Sequence, residues 1–348
     1  MIPGPGALSD DVLAILGTQL MAHYGEIWPS IHAEVVATVG KVLGCHGPYL
    51  LPGTGSAALD AALFNLFEPG QQVVVPDTGY FGERLVEMAQ AHGLAVARVP
   101  VEVGAPLSVE RVADALSRGA DGLLCVHVET STGVRHPVEA LARVAADVGA
   151  AFVVDGIASA GGEEVSVEEL GADAFVTASQ KGLEAPPGIG VVALSQRGRE
   201  RIESRSSPCP SWYFDLRRWE RHRLEDAWEP HPVTMPTNLL VALLVSAERI
   251  LDEGVDHVVR RRAELARRCR RGLADLGLEL VPAAGHEANL VVAAWADDPA
   301  ALAERAERRA GITISRGLGP TEGRAIRVGL VGRFANEASV DRLLAALS

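Results

Sequence analysis

The chain has 348 residues, 48% of them hydrophobic and 22% charged, with 5% aromatic and a formal net charge of -13. That length accommodates two domains sharing a cleft, and the acidic balance, with no Lys/Arg block, argues against nucleic acid or an anionic membrane as partner. Cys45, Cys125, Cys209 and Cys269 show neither paired nor CxxC spacing, so no disulfide framework and no metal site is expected. The opening MIPGPGALSDD lacks a basic region before an apolar core, and no run is long enough to span a bilayer; the expectation is a soluble, cytoplasmic protein.

Pro3-Gly4-Pro5-Gly6 breaks the backbone at once, and Ser9 is placed to cap a short helix running to Leu20. Ile31, Val35, Val36, Val39 and Val42 recur at helical spacing over 31–43. A turn, Pro52-Gly53-Thr54-Gly55-Ser56, then leads into a helix over 57–66. Small residues before a helix let backbone N–H groups and hydroxyls face an anion, and the helix dipole favours negative charge there. A strand over 72–75 ends in Pro76-Asp77-Thr78-Gly79-Tyr80-Phe81-Gly82. Strands over 94–99 and 122–126 alternate with helices over 108–116 and 136–148. The apolar run 151–154 ends in Asp155; a strand over 173–176 leads to Gln180-Lys181, and another spans 189–194. This alternation predicts an α/β fold: a mostly parallel sheet with helices on both faces.

The stretch 204–229 reads as irregular, rich in charge and aromatics, and helices follow over 238–251 and 255–276. Strands over 288–295 and 312–315, a helix over 299–310 and a last helix over 337–347 make a smaller α+β unit. The division is placed between a large domain, 1–245, and a small one, 246–348.

Neighbouring strands would put Asp155 and Lys181 at one edge of the sheet, where open α/β sheets bind ligands. A carboxylate and an amine converging there suit pyridoxal 5'-phosphate. The lysine forms a Schiff base, and the carboxylate keeps the pyridine nitrogen protonated, making the ring an electron sink. Arg327 alternates with apolar Ile326 and Val328 in a strand pattern, and its planar fork matches a carboxylate; Arg316 and Arg324 lie close by in sequence.

FVVDGIASAGG followed by TASQKGLEAPPG resembles the class V aminotransferases of fold type I, specifically the alanine/serine–glyoxylate branch, and the resemblance covers nearly the whole chain. TGSAALDAAL matches that family's phosphate cup, which implies that Thr54, Gly55 and Ser56, with Gln180, hold the cofactor phosphate. The aromatic expected to stack on the pyridine ring is Phe81, with Tyr80 as the alternative. Glu129-Thr130-Ser131-Thr132-Gly133 matches a hydroxyl-rich loop, so Thr130 is expected to bond the cofactor's phenolic oxygen. The segment His231–Pro236 matches one that reaches into a partner subunit's site, where a Tyr and a Thr bind phosphate. Thr234 fits that pattern; His231 stands where the family has Tyr, and its imidazole can still donate to the phosphate, so both are expected at the cofactor phosphate. RVGLVG resembles the context of the arginine that binds the substrate carboxylate, here Arg327.

The implied activity moves an amino group from alanine or serine to glyoxylate or pyruvate, with Lys181 as general base and acid, in a homodimer with shared sites. A 2-aminoethylphosphonate–pyruvate transaminase, whose ETTTG loop is similar, is the nearest alternative; a lyase or racemase of the same fold is another. A cysteine desulfurase would carry His before the lysine and a mobile Cys, and Gln180 and the helix-borne Cys269 fit neither requirement. A nicotinamide dehydrogenase is disfavoured by the lack of GxGxxG after the first strand. A catalytically silent regulator is disfavoured by the intact Asp155, Lys181 and Arg327.

Overall fold

The computed structural model describes residues 1–348. Helices α1 (Asp10–Leu16) and α2 (Trp28–Leu43) precede β1 (Tyr49–Pro52) and α3 (Gly55–Leu66). Next come β2 (Gln72–Asp77), α4 (Tyr80–Ala91), β3 (Ala95–Pro100), α5 (Val109–Leu116) and β4 (Gly122–Val126). A two-stranded ribbon, β5 (Val128–Glu129) and β6 (Val134–Arg135), leads to α6 (Val138–Asp147), β7 (Ala151–Asp155), the short α7 (Val167–Leu170), β8 (Ala174–Ala178) and β9 (Ile189–Leu194). Then α8 (Gln196–Glu203), α9 (Leu216–Glu225), α10 (Thr237–Glu253) and α11 (Val255–Asp275) follow. The chain ends with β10 (Val291–Trp295), α12 (Pro299–Ala310), β11 (Ser315–Arg316), β12 (Ala325–Gly329) and α13 (Glu337–Leu347).

The large sheet has the order β1-β9-β8-β7-β4-β2-β3. Strands β3, β2, β4, β7 and β8 are mutually parallel, and β9 runs against both its neighbours. Every residue of β4, β7, β8 and β9 is buried, because helices cover both faces. This is why those strands read as unbroken apolar runs rather than alternating ones. The small sheet, β10-β12-β11, is antiparallel. It packs Ile326 and Val328 against Leu265 and Cys269 of α11 and Leu343 of α13 in a second core. No helix is long and apolar enough to cross a membrane.

Several local expectations shift, among them the strand expected over 312–315, which forms only at Ser315–Arg316. Helix α1 ends at Leu16 rather than Leu20, since Gly17 stops it, and the Ser9 hydroxyl donates to the Asp11 carboxylate instead of capping. Helix α3 begins at Gly55, two residues earlier than expected, because Thr54 is extended and takes the N-cap place. The stretch read as irregular contains α9, capped by Asp215, whose side chain accepts from the Arg217 N–H. Only Leu216 and Trp219 of α9 are buried, too few for an apolar stripe to show in sequence. Finally, α10 runs unbroken through residue 245. Ala247, Ile250 and Val258 belong to the larger core and Leu265 to the smaller.

Candidate active site

In the sheet, Val126 of β4 pairs with Asp155 of β7, and Asp155 with Val176 of β8. Three parallel strands therefore end together, and the turns after them (127–133, 156–163 and 179–184) crowd one edge. The first turn of α3 meets the same edge. Gly55 makes this possible: a Cβ there would lie 2.3 Å from Ile157 Cδ1. The result is a cavity of about 270 Å³ whose wall includes Asp155, Lys181, Gln180, Thr130 and Phe81. Thr54, Gly55 and Ser56 complete it from the helix side.

Asp155 is 5% exposed, and its Oδ1 accepts from the Ile157 N–H at 3.0 Å. Burial pushes its carboxyl up to about 6 against the pull of that hydrogen bond. The Lys181 amine donates to the Pro3 carbonyl. Burial brings it down to about 8; the Arg327 charge adds to the shift and Asp155 opposes it. The two groups thus face one cavity while each bonds elsewhere. Arg327, on β12, is half-buried and outside the cavity wall. Its Nε donates to the Arg316 carbonyl at 2.9 Å and its Nη1 to the Thr130 carbonyl at 3.2 Å.

Pyridoxal phosphate fits these residues. No side chain caps α3, so its first-turn N–H groups, with the Thr54 and Ser56 hydroxyls, are left to receive an anion. Gln180 borders the same cavity, where its side-chain NH2, and not its unpartnered oxygen, is the group able to donate to an anion. Asp155 offers a dry carboxylate for a cationic ring nitrogen. Phe81, not Tyr80, is the aromatic in the wall; Tyr80 is 36% exposed and packs against Gly319.

The segment 231–234 behaves differently from expectation. His231 is fully buried within its own subunit, its Nε2 accepting from the Trp28 indole at 2.7 Å with His23 and His32 around it. It lies outside the cavity of its own subunit, with Nε2 taken by the indole and Nδ1 unpartnered, so nothing in this subunit supports its assignment to the cofactor phosphate. The indole uses the imidazole as an acceptor, a role Tyr could not fill with a ring nitrogen. Thr234 is exposed and lies outside the cavity of its own subunit.

Two residues were missed. Glu129 is completely buried; its Oε2 accepts from the Phe81 and Gly82 N–H groups at 3.0 and 3.1 Å. Its Oε1 accepts from the Ser131 N–H at 3.0 Å and hydroxyl at 2.6 Å. It thereby ties the start of α4, which carries Phe81, to the turn that carries Thr130. Nothing in ETSTG signals this, because the donors lie elsewhere in the chain. Arg84 is also in the cavity wall, its guanidinium 4.9 Å from the Phe81 ring centre; its spacing of three from Phe81 on one helix was the available clue. A larger cleft of about 650 Å³, bordered by Val36, Lys41, Glu168 and Arg223, contains none of the expected residues.

The model of the family described as Aminotransferase class-V matches residues 40–321. An alanine–glyoxylate aminotransferase of Oryctolagus cuniculus is 30% identical over 99% of this chain and 90% of its own. An L-aspartate–glyoxylate aminotransferase of Paracoccus denitrificans is 28% identical over 99% of this chain and 89% of its own. Among solved structures, the alanine–glyoxylate aminotransferase of Nostoc sp. is 29% identical, with a TM-score of 0.93, covering 99% of this chain and 93% of that one.

The Lys181 amine gives a direct test of the site's electrostatics. With its pKa lowered to about 8, the reactive neutral form accumulates above pH 8 instead of near 10.5. Reductive methylation of cofactor-free protein, followed at Lys181 by peptide mass, should rise with pH through a midpoint near 8. In Arg327→Ala the midpoint should move upward, since a neighbouring positive charge has been removed. A wild-type midpoint at or above 10 would refute the described environment.

Proposed function

The chain belongs to the class V aminotransferases, and we propose that it moves an amino group from a small amino acid, alanine or serine, to glyoxylate or pyruvate with pyridoxal 5'-phosphate held at Lys181. The carrying observation is the convergence of Asp155, Lys181 and the uncapped start of α3 on one buried cavity. Bound there, the cofactor supplies an electron sink that acidifies the substrate's Cα–H. Lys181 Nζ, lowered to about 8, is suited to take that proton near neutral pH and to return it during the 1,3-shift. Asp155 opposes the charge on the ring nitrogen, a role that its burial would otherwise disfavour. Thr54, Gly55, Ser56 and Gln180 hold the phosphate, Thr130 the phenolic oxygen, and Phe81 restrains the ring. Arg327 has Nη2 left over after its two bonds to backbone carbonyls, and this is the group we assign to the substrate carboxylate.

The purified protein should be yellow, and borohydride should fix the cofactor to Lys181. The only other lysine is Lys41, so peptide mapping that placed it there, or nowhere, would remove the basis of this assignment. Arg327→Ala should lose on the order of 2–5 kcal/mol of carboxylate recognition, roughly 30- to several-thousand-fold in kcat/KM, with the cofactor still bound. Normal turnover of alanine, serine and glyoxylate by that variant would show that another group holds the carboxylate.

We assign the assembly as a homodimer with sites shared through Thr234, whose exposure leaves it available to a neighbour. Inactive Lys181→Ala and Thr234→Ala chains should then regain part of the activity as hybrids. Hybrids that form and stay inactive, or a monomer by light scattering, would count against shared sites.

A further inference from the structure

Glu184, three residues past Lys181, is the one non-glycine residue with a left-handed backbone, at φ 53°. An unbranched L-residue tolerates that region only when its surroundings hold it there. Two contacts do so. The Glu184 N–H donates to the Lys181 carbonyl at 3.0 Å, closing the turn. The Glu184 Oε1 accepts from Arg262 Nη2 at 2.6 Å.

Arg262 stands on α11 and is 1% exposed. Its Nη1 donates to the Gly182 carbonyl at 3.0 Å and also to the Gly161 carbonyl. One guanidinium therefore joins the turn that begins at Asp155 to the turn that begins at Lys181. Those turns already touch backbone to backbone. A Cβ at Gly182 would lie 2.1 Å from the Ala160 carbonyl oxygen, and one at Gly161 would lie 2.8 Å from that of Gly182. No side chain can enter the seam, so its registration depends on what lies beneath it. Beneath it is a buried charge whose only carboxylate partner is Glu184.

We propose that Arg262, paired with Glu184, is a positioning residue that sets the Lys181 turn against the Asp155 turn and so fixes where the amine stands. This rests on the assignment of Lys181 as the reacting amine. A buried guanidinium left without its carboxylate must draw in water or shift. Either response loosens the turn it supports, and a displacement of about an ångström in a reacting group is enough to cost on the order of 100-fold in rate. The loss falls on proton transfer at Lys181 rather than on substrate recognition, because neither residue borders the cavity.

The test uses Glu184→Gln, which keeps shape and removes charge, and Arg262→Lys, which keeps charge and removes the fork. In the cofactor-loaded enzyme, kcat should fall on the order of 10- to 100-fold while KM for the amino donor stays within about twofold. In cofactor-free protein the pH midpoint for reductive methylation of Lys181 should move from about 8 toward 10.5, because a loosened turn admits water to the amine. If Arg262→Lys fails to fold, the near-isosteric Glu184→Gln carries the test alone. A folded Glu184→Gln variant with wild-type kcat and methylation midpoint overturns the proposal. So does a fall in kcat without a change in that midpoint, which would mean that the pair supports the fold and not the amine. Failure of the underlying assignment would look different: wild-type protein would carry no borohydride-fixed cofactor on Lys181, whatever the two variants did.

Discussion

The site depends first on strand direction. Because β4, β7 and β8 are parallel and in register, the chain leaves each of them at one edge of the sheet, and Thr130, Asp155 and Lys181 follow from those exits. An antiparallel arrangement would have sent alternate residues to opposite ends, some 15 Å or more apart for five-residue strands. The single reversed strand beside them, β9, serves the same end. A Cβ at Gly190 would meet Ala58 Cβ and the Thr54 carbonyl oxygen, each at 2.8 Å. Its absence lets α3 lie close on the sheet with its N-terminus at the populated edge.

Once those groups are together, water exclusion separates their roles. Glu129 and Asp155 are both buried carboxylates, but they are satisfied very differently. Glu129 accepts from two backbone N–H groups with one oxygen and from the Ser131 N–H and hydroxyl with the other. Asp155 accepts one backbone N–H, and burial lifts it to about 6. A carboxylate with its acceptors filled is a fastener; one with spare acceptor capacity at a cavity wall is waiting for a positive partner. By the same criterion Lys181, held only by the Pro3 carbonyl, is the amine with capacity to react.

Much of this was legible in the sequence where function is carried by local words. The runs that became β4, β9, α12 and α13 showed their own boundaries, and the turn residues Thr54, Gly55, Ser56, Thr130, Gln180 and Lys181 all reach the cavity. What stayed hidden is set by partners distant in the chain. Glu129 acts through N–H groups of Phe81 and Gly82, and Arg262 through carbonyls of Gly161 and Gly182. A sequence shows the acceptor or the donor and not the meeting. His231 shows the converse: its position in a familiar segment suggests a phosphate contact, while the Trp28 indole, supplied by α2, bonds its Nε2 within the subunit, which no local pattern reveals. Helix α9 hid because its face is charged, so periodicity had too few apolar residues to reveal it.

The first residues of the chain tie the two halves of the site together. The Pro3 carbonyl accepts from Lys181, and the Gly6 N–H donates to the Gln180 carbonyl at 3.3 Å. On the other side, the Gly329 N–H donates to the Met1 carbonyl at 3.0 Å, two residues beyond Arg327. The strap fits because two glycines lack side chains. A Cβ at Gly4 would lie 2.6 Å from Lys181 Cδ, and one at Gly329 would lie 1.9 Å from the Ile2 carbonyl oxygen. One strap thus meets both sides of the site, accepting from the Lys181 side chain through the Pro3 carbonyl and from the strand of Arg327 through the Met1 carbonyl, with no side chain of its own engaged in either bond.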